Sequence, residues 1–307
     1  MNTRLSLLEY ILIAIAAVVL LLVVFLLVSG DQLDLSSLAE VLRGQPERPQ
    51  IMYLSAGLPR AIHIMDEDGG NDRVLLSDPQ GSIDYPSWSP DGRYITYVAE
   101  VEGNVDVYRV DARGREVIRL TSLPSEDRFP AWSHDGERIA FISNRGGPFE
   151  LYIMNSDGTA QRKIREGTPI AGAPDWSPSD DWIVYPKSLG DQALYLVRPD
   201  GSEEIRLTDL GAAYSDPAWS PDGRYVAYFC DYALCLITSD GRTSWKLADR
   251  VANRKPSWSP DGTRIAFTTF DSQIAIVTLS TLEFTQITGT PGKAGGNTSP
   301  SWQPPSN

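Results

Sequence analysis

The sequence is poor in the residues that most enzymes and metal sites are built from. Among 307 residues there are two histidines, His63 and His134, and two cysteines, Cys230 and Cys235. Two cysteines are too few for a disulfide scaffold or a cysteine-based zinc site. Two histidines leave little material for histidine-rich metal centres or histidine-driven catalysis. No G-x-S-x-G elbow occurs, so the usual nucleophile turn of an α/β hydrolase is missing. Positive charge is also in deficit. The net charge of −13 excludes nucleic acid and an anionic membrane surface as the principal partner. Neither a metal nor a cofactor is expected.

One long apolar run is present. Residues 10–30, "YILIAIAAVVLLLVVFLLVSG", carry no charge from Ile11 to Gly30. That length spans a bilayer as a helix, whereas secretory signal cores are shorter. The expected order is a cytoplasmic N-terminus (1–9), a transmembrane helix (10–30) and an extracytoplasmic remainder. Arg4 lies on one flank and Asp31 and Asp34 on the other, in line with the positive-inside bias. A cleaved signal ending at Val28-Ser29-Gly30 is the alternative. Residues 31–49 follow as a short helix and a linker. Ser37 and Glu40 make a capping box before Gly44, and "QPERPQ" is a stiff proline-rich spacer.

The rest is a repeat. "PSWSPDG" at 86–92 returns as "PAWSHDG", "PDWSPSD", "PAWSPDG" and "PSWSPDG", and a broken copy, "PSWQPPS", stands at 300–306. The tryptophans are Trp88, Trp132, Trp176, Trp219, Trp258 and Trp302, spaced by 44, 44, 43, 39 and 44 residues. A period of about 40–45 with a tryptophan and an Asp-Gly turn indicates propeller blades. Short apolar strands follow each turn ("RIAFISN", "ELYIMN"), with no helical period between them. A partial unit from residue 50 has three strands and no Trp strand. The copy at 300 supplies it, so the first and last segments share a blade and close the ring. The fold class is all-β: a six-bladed propeller over residues 50–305, with the tryptophans in the seams between blades.

These motifs resemble the TolB-type six-bladed propeller of the WD40-like, or PD40, repeat family. The resemblance covers residues 50–305 and implies an interaction platform outside the cytoplasm, such as the TolB component of the Tol–Pal envelope system. The chain departs from that component in having an apolar run where the TolB N-terminal α/β domain would be. The same propeller also serves as an accessory domain of peptidases of the prolyl oligopeptidase kind. With no G-x-S-x-G elbow among these residues, a peptidase partner domain is not expected.

Candidate sites follow from topology. Tight Asp-Gly turns occupy one face of the ring. The other face carries the links between blades, and each link runs into an innermost strand. Asp84, Tyr85, Asp127, Arg128, Phe129, Tyr214, Asp216, Arg254, Lys255 and Asn297 are therefore expected on exposed links around a channel mouth, where a protein or peptide would bind. Carboxylates there could instead serve a hydrolase or lyase, and a carbohydrate-binding module is a third reading. "DEDGGND", 66–72, has calcium-loop composition but aligns with the hairpin turns of other units. His63 and His134 read as ordinary strand and turn residues. Cys230 and Cys235 flank "DYAL" and are either a hairpin disulfide or two buried thiols. The expectation is a monomeric, non-catalytic binding propeller on the outer side of the bacterial inner membrane.

Overall fold

The computed structural model describes residues 49–304 apart from 56–58, 79–81, 168, 171, 188–191, 210–213, 253 and 289–296. The expected cytoplasmic N-terminus, transmembrane helix and connector to residue 48 lie outside the described residues. So do the side chains of Tyr214 and Asn297.

Six four-stranded antiparallel sheets are arranged as blades. Blade 1 joins the two ends of the domain: β24 (Asn297–Trp302) lies inside β1 (Gln50–Ser55), β2 (Arg60–Asp66) and β3 (Arg73–Asp78). Blade 2 runs from β4 (Asp84–Trp88) through β5 (Tyr94–Val101) and β6 (Asn104–Asp111) to β7 (Ile118–Arg119). Blade 3 is β8 (Asp127–Trp132), β9 (Arg138–Ser143), β10 (Glu150–Asn155) and β11 (Arg162–Lys163). Blade 4 is β12 (Asp175–Trp176), β13 (Ile183–Lys187), β14 (Ala193–Val197) and β15 (Glu204–Arg206). Blade 5 is β16 (Tyr214–Trp219), β17 (Tyr225–Cys230), β18 (Ala233–Thr238) and β19 (Ser244–Asp249). Blade 6 is β20 (Ser257–Trp258), β21 (Arg264–Thr268), β22 (Ile274–Thr278) and β23 (Glu283–Gln286). Closure is as expected: Ile51 pairs with Trp302, and Ser55 with Asn297.

The core lies in the six seams. Every seam cluster joins two neighbouring blades and buries one tryptophan of the repeated phrase. Trp176 is fully buried against Ile142, Leu151 and Ile153 of blade 3. Truncating such a residue to alanine costs about 3–5 kcal/mol. The second and third strands of each blade are buried on both faces, which explains their continuous apolar runs.

The repeated turn is set by its own residues. Ser89 Oγ donates to Asp91 (2.6 Å) and accepts from the Tyr94 N–H (2.9 Å). Gly92 sits at φ 66°, where a side chain is unfavourable. The stretch 66–72 is a hairpin turn, with Gly69 N–H donating to the Asp66 carbonyl. Cys230 and Cys235 are disulfide-bonded. Their hairpin is tighter than a four-residue loop. Asp231 and Tyr232, both at positive φ, make a two-residue turn, and Ala233 already pairs with Cys230. The bond therefore runs diagonally across one hairpin.

Candidate binding site in the axial channel

The inner strands come in two kinds. Those of blades 4 and 6 are two residues long and begin after their proline. Those of blades 1, 2, 3 and 5 are longer, and their pairing slips at an X-Pro step. At each slip the residue before proline adopts positive φ: Tyr85 (51°), Phe129 (54°), Asp216 (49°) and Ser299 (56°). A non-glycine residue there costs roughly 1–2 kcal/mol, and the following proline narrows its choices further. Bulges re-aim side chains. Here all four strained residues line one axial cavity of about 530 Å³.

The cavity wall is divided by chemistry. On blades 2 and 3 the rings of Tyr85 and Phe129 lie 4.1 Å apart between centroids, beside Pro86 and Pro130. On blades 4 to 6 the lining carries Asp175, Asp216, Arg254 and Lys255. Lys255 Nζ donates to Asp175 (2.6 Å) and to the Pro174 carbonyl (3.1 Å). The other Asp175 oxygen accepts the Trp219 N–H (2.8 Å). Asp216 accepts the Ala173 N–H (3.1 Å). Burial pushes its carboxyl up, against the opposing pull of that N–H, of Ser215 and of the Lys255 and Arg254 charges. Burial likewise raises the Tyr85 phenol, with the Asp84 charge adding to it. Toward the tight-turn face the cavity meets Pro90, Pro221, Pro260 and Pro304, with His134 standing in one proline's place.

Of the residues expected at the mouth, the structure brings together Tyr85, Phe129, Asp216, Arg254 and Lys255. Three others are committed elsewhere. Asp84 bonds Arg60 (3.2 Å), and Arg128 bonds Glu126 (2.9 Å). Asp127 was expected on an exposed link. It is instead completely buried, held by two bonds from Arg145 (3.1 and 2.9 Å), because β8 begins at this residue and Arg145 returns over it from the far end of β9. Asp216 is buried as well, at 8% exposure. Asp175 was missed. Its signal is visible: units elsewhere place Ser or Ala before the tryptophan, and only "PDW" places a charge there.

A profile of the PD40 family, described as the TolB beta propeller domain, matches residues 49–237. The chain belongs to the TolB β-propeller family. Among curated relatives, the Tol-Pal system protein TolB of Francisella tularensis subsp. holarctica (strain OSU18) is 37% identical over 71 residues, 23% of this chain. That match spans only 16% of the length of the relative. The crystal structure of TolB from Acinetobacter baumannii superposes with a TM-score of 0.75 at 20% identity, covering 87% of this chain and 70% of that one. An oligogalacturonate lyase in complex with manganese superposes with a TM-score of 0.56 at 15% identity, covering 77% and 73%. At these identities the solved neighbours of this TolB-type propeller show its fold alone.

Proposed function

We propose that this TolB-type propeller is a membrane-anchored, extracytoplasmic, monomeric scaffold that binds a protein or peptide at its channel mouth and performs no catalysis. The observation that carries the reading is the convergence of strained, aromatic and charged residues on one cavity. Backbone strain retained at several equivalent positions is a mark of functional positioning. A concave site with apolar walls and a few oriented polar groups suits ligand binding. The curated relatives are named for the Tol-Pal system, which supports a protein partner. The channel carboxylates favour binding over acid–base chemistry, since Asp175 is engaged by Lys255 and the Trp219 N–H, and Asp216 by Ala173. The apolar run at 10–30 supports the anchor. The Cys230–Cys235 disulfide fits an oxidising compartment.

Charge reversal tests the site. Arg254→Glu should abolish capture of the partner crosslinked in native membranes, while the paired change Asp157→Lys and Asp200→Lys on the tight-turn face should leave capture intact. Loss of capture in the turn-face variant alone would assign the wrong face. Topology has its own test. A reporter cysteine at residue 190, in a chain with Cys230 and Cys235 replaced, should react with a membrane-impermeant thiol reagent in intact cells. Reaction only after lysis would reverse the orientation.

A further inference from the structure

We propose that the channel receives the C-terminal end of a peptide, with its α-carboxylate on Arg254 and its last apolar side chain on the Tyr85–Phe129 pair. This inference rests on the reading of the channel as a binding site and names the chemistry of the occupant. Three observations carry it.

The first is shape. The ring is sealed sideways by the β1–β24 pairing, so the cavity is entered along the axis. A chain end enters as one strand, whereas a loop must bring two. A volume of about 530 Å³ falls in the range of sites for small ligands, enough for a few residues and not for a folded domain.

The second is charge. Lys255 and Asp175 satisfy each other at 2.6 Å. Asp216 is occupied by the Ala173 N–H and is pushed by burial toward its neutral form. Arg254 is left over. It is half-buried, and its guanidinium has no hydrogen-bond or salt-bridge partner among the described residues, although its field reaches Asp216 and Tyr85. The charge that completes this wall is negative. A guanidinium fits a carboxylate in a planar, two-pronged arrangement. A peptide amino terminus finds no unengaged carboxylate in the same wall.

The third is the opposite wall. Tyr85 and Phe129 are held against each other by backbone at φ 51° and 54°, beside Pro86 and Pro130. This gives a rigid apolar surface facing the cation across the cavity, where a terminal aromatic or aliphatic side chain can be buried while its carboxylate turns to Arg254.

The test uses the full-length chain in mild detergent and the peptide acetyl-Ala-Gly-Ala-Phe, as free acid and as C-terminal amide. Binding is read by calorimetry and by fluorescence of the channel tryptophans. The free acid should bind at least about tenfold more tightly than the amide, the scale of one well-placed charge pair. In Arg254→Gln that ratio should collapse to within about twofold, with an unchanged melting midpoint. Equal binding of acid and amide to the native chain, lost in Phe129→Ala, would overturn the carboxylate assignment and leave the binding site standing. Absence of binding by both peptides would overturn both. A third peptide, acetyl-Ala-Asp-Ala-Phe amide, decides the source of the charge. If it matches the free acid, a side-chain carboxylate and not a chain end is what the site reads.

Discussion

At the scale of single residues, two departures from the repeated phrase prove to be one feature. Blade 3 has His134 where other units have proline, and blade 4 has Asp180 where the other complete copies of the phrase have glycine. Asp180 sits at φ 58° and its carboxylate accepts the backbone N–H groups of His134 (2.7 Å) and Asp135 (2.8 Å) across the blade boundary. A proline at 134 could not donate. Asp180→Ala should therefore lower stability by about 1–2 kcal/mol, the scale of lost charge-assisted bonds. His134→Pro should be costly in the native background and nearly free once Asp180 is gone. A denaturant double-mutant cycle measures this coupling, and simple additivity would refute it. The seam tryptophans also differ singly. Trp132, Trp176 and Trp258 donate their indole N–H to Thr96 Oγ1, the Ala131 carbonyl and the Ala218 carbonyl. The indole N–H groups of Trp88, Trp219 and Trp302 are buried with no acceptor among the described residues. Replacement by phenylalanine should thus cost about 1 kcal/mol more in the first set than in the second, as read from urea midpoints.

At the scale of elements, the blade hairpin of β17 and β18 shows what its disulfide does. Cys230 and Cys235 close a short loop inside one hairpin and tie no blade to another. A cross-link over so few residues stabilises by about 2 kcal/mol at most on the chain-entropy view. Replacing both cysteines with serine should lower the melting midpoint modestly. Hydrogen exchange should quicken at the tip of blade 5 and stay unchanged in blades 2 and 3. Exchange rising around the whole ring would mean that the bond has a wider role. The elements were also the most legible part of the sequence. The Trp phrase and the apolar runs mark strands through local chemistry alone, so the blades and their closure could be read directly. The inner-strand slips could not. Tyr85, Phe129, Asp216 and Ser299 precede proline in the sequence, but so do Ala173 and Lys255, which do not take positive φ. What separates them is strand pairing. Asp127 was misjudged for a similar reason: its link is polar in sequence, and only the fold brings Arg145 back over it.

At the scale of the whole molecule, stability should depend on pH in two opposed ways. The turn aspartates Asp135, Asp222 and Asp261 are partly desolvated, which raises them. The hydroxyls of Ser133, Ser220 and Ser259, with neighbouring backbone N–H groups, outweigh this and hold them below 3.8. A carboxylate lowered on folding contributes stability above its unfolded value that is lost as pH falls through the folded one. These turns recur around one face, so they should weaken together below pH 3.8. Asp216 has the opposite sign. Its folded value is raised by burial, so its ionisation removes stability as pH rises above 3.8. Melting midpoints taken from pH 7 to pH 3 should first rise slightly and then fall. Asp216→Asn should remove the rise and keep the fall, and a profile flat to pH 3 would contradict both assignments. Ring closure makes a larger prediction. Removing residues 299–307 strips blade 1 of its inner strand and of Trp302, which fills the seam against Ala266, Ile274 and Ile276. The full chain and its truncation should melt far apart, and equal midpoints would refute closure by β24.

The pairing of Ile51 with Trp302 also sets a timetable for the growing chain. Translation makes β1 first among the strands and β24 last. Until then blade 1 has three strands, and its β1 edge and the seam facing blade 6 stay open to water. Bringing such distant partners together costs about 3 kcal/mol more in loop entropy than closing a ten-residue hairpin. A nascent propeller that has completed five blades therefore still presents an unpaired strand and an apolar cleft. The interval before β24 emerges is when the propeller is most exposed to aggregation and proteolysis, and when a holding chaperone would have most to bind.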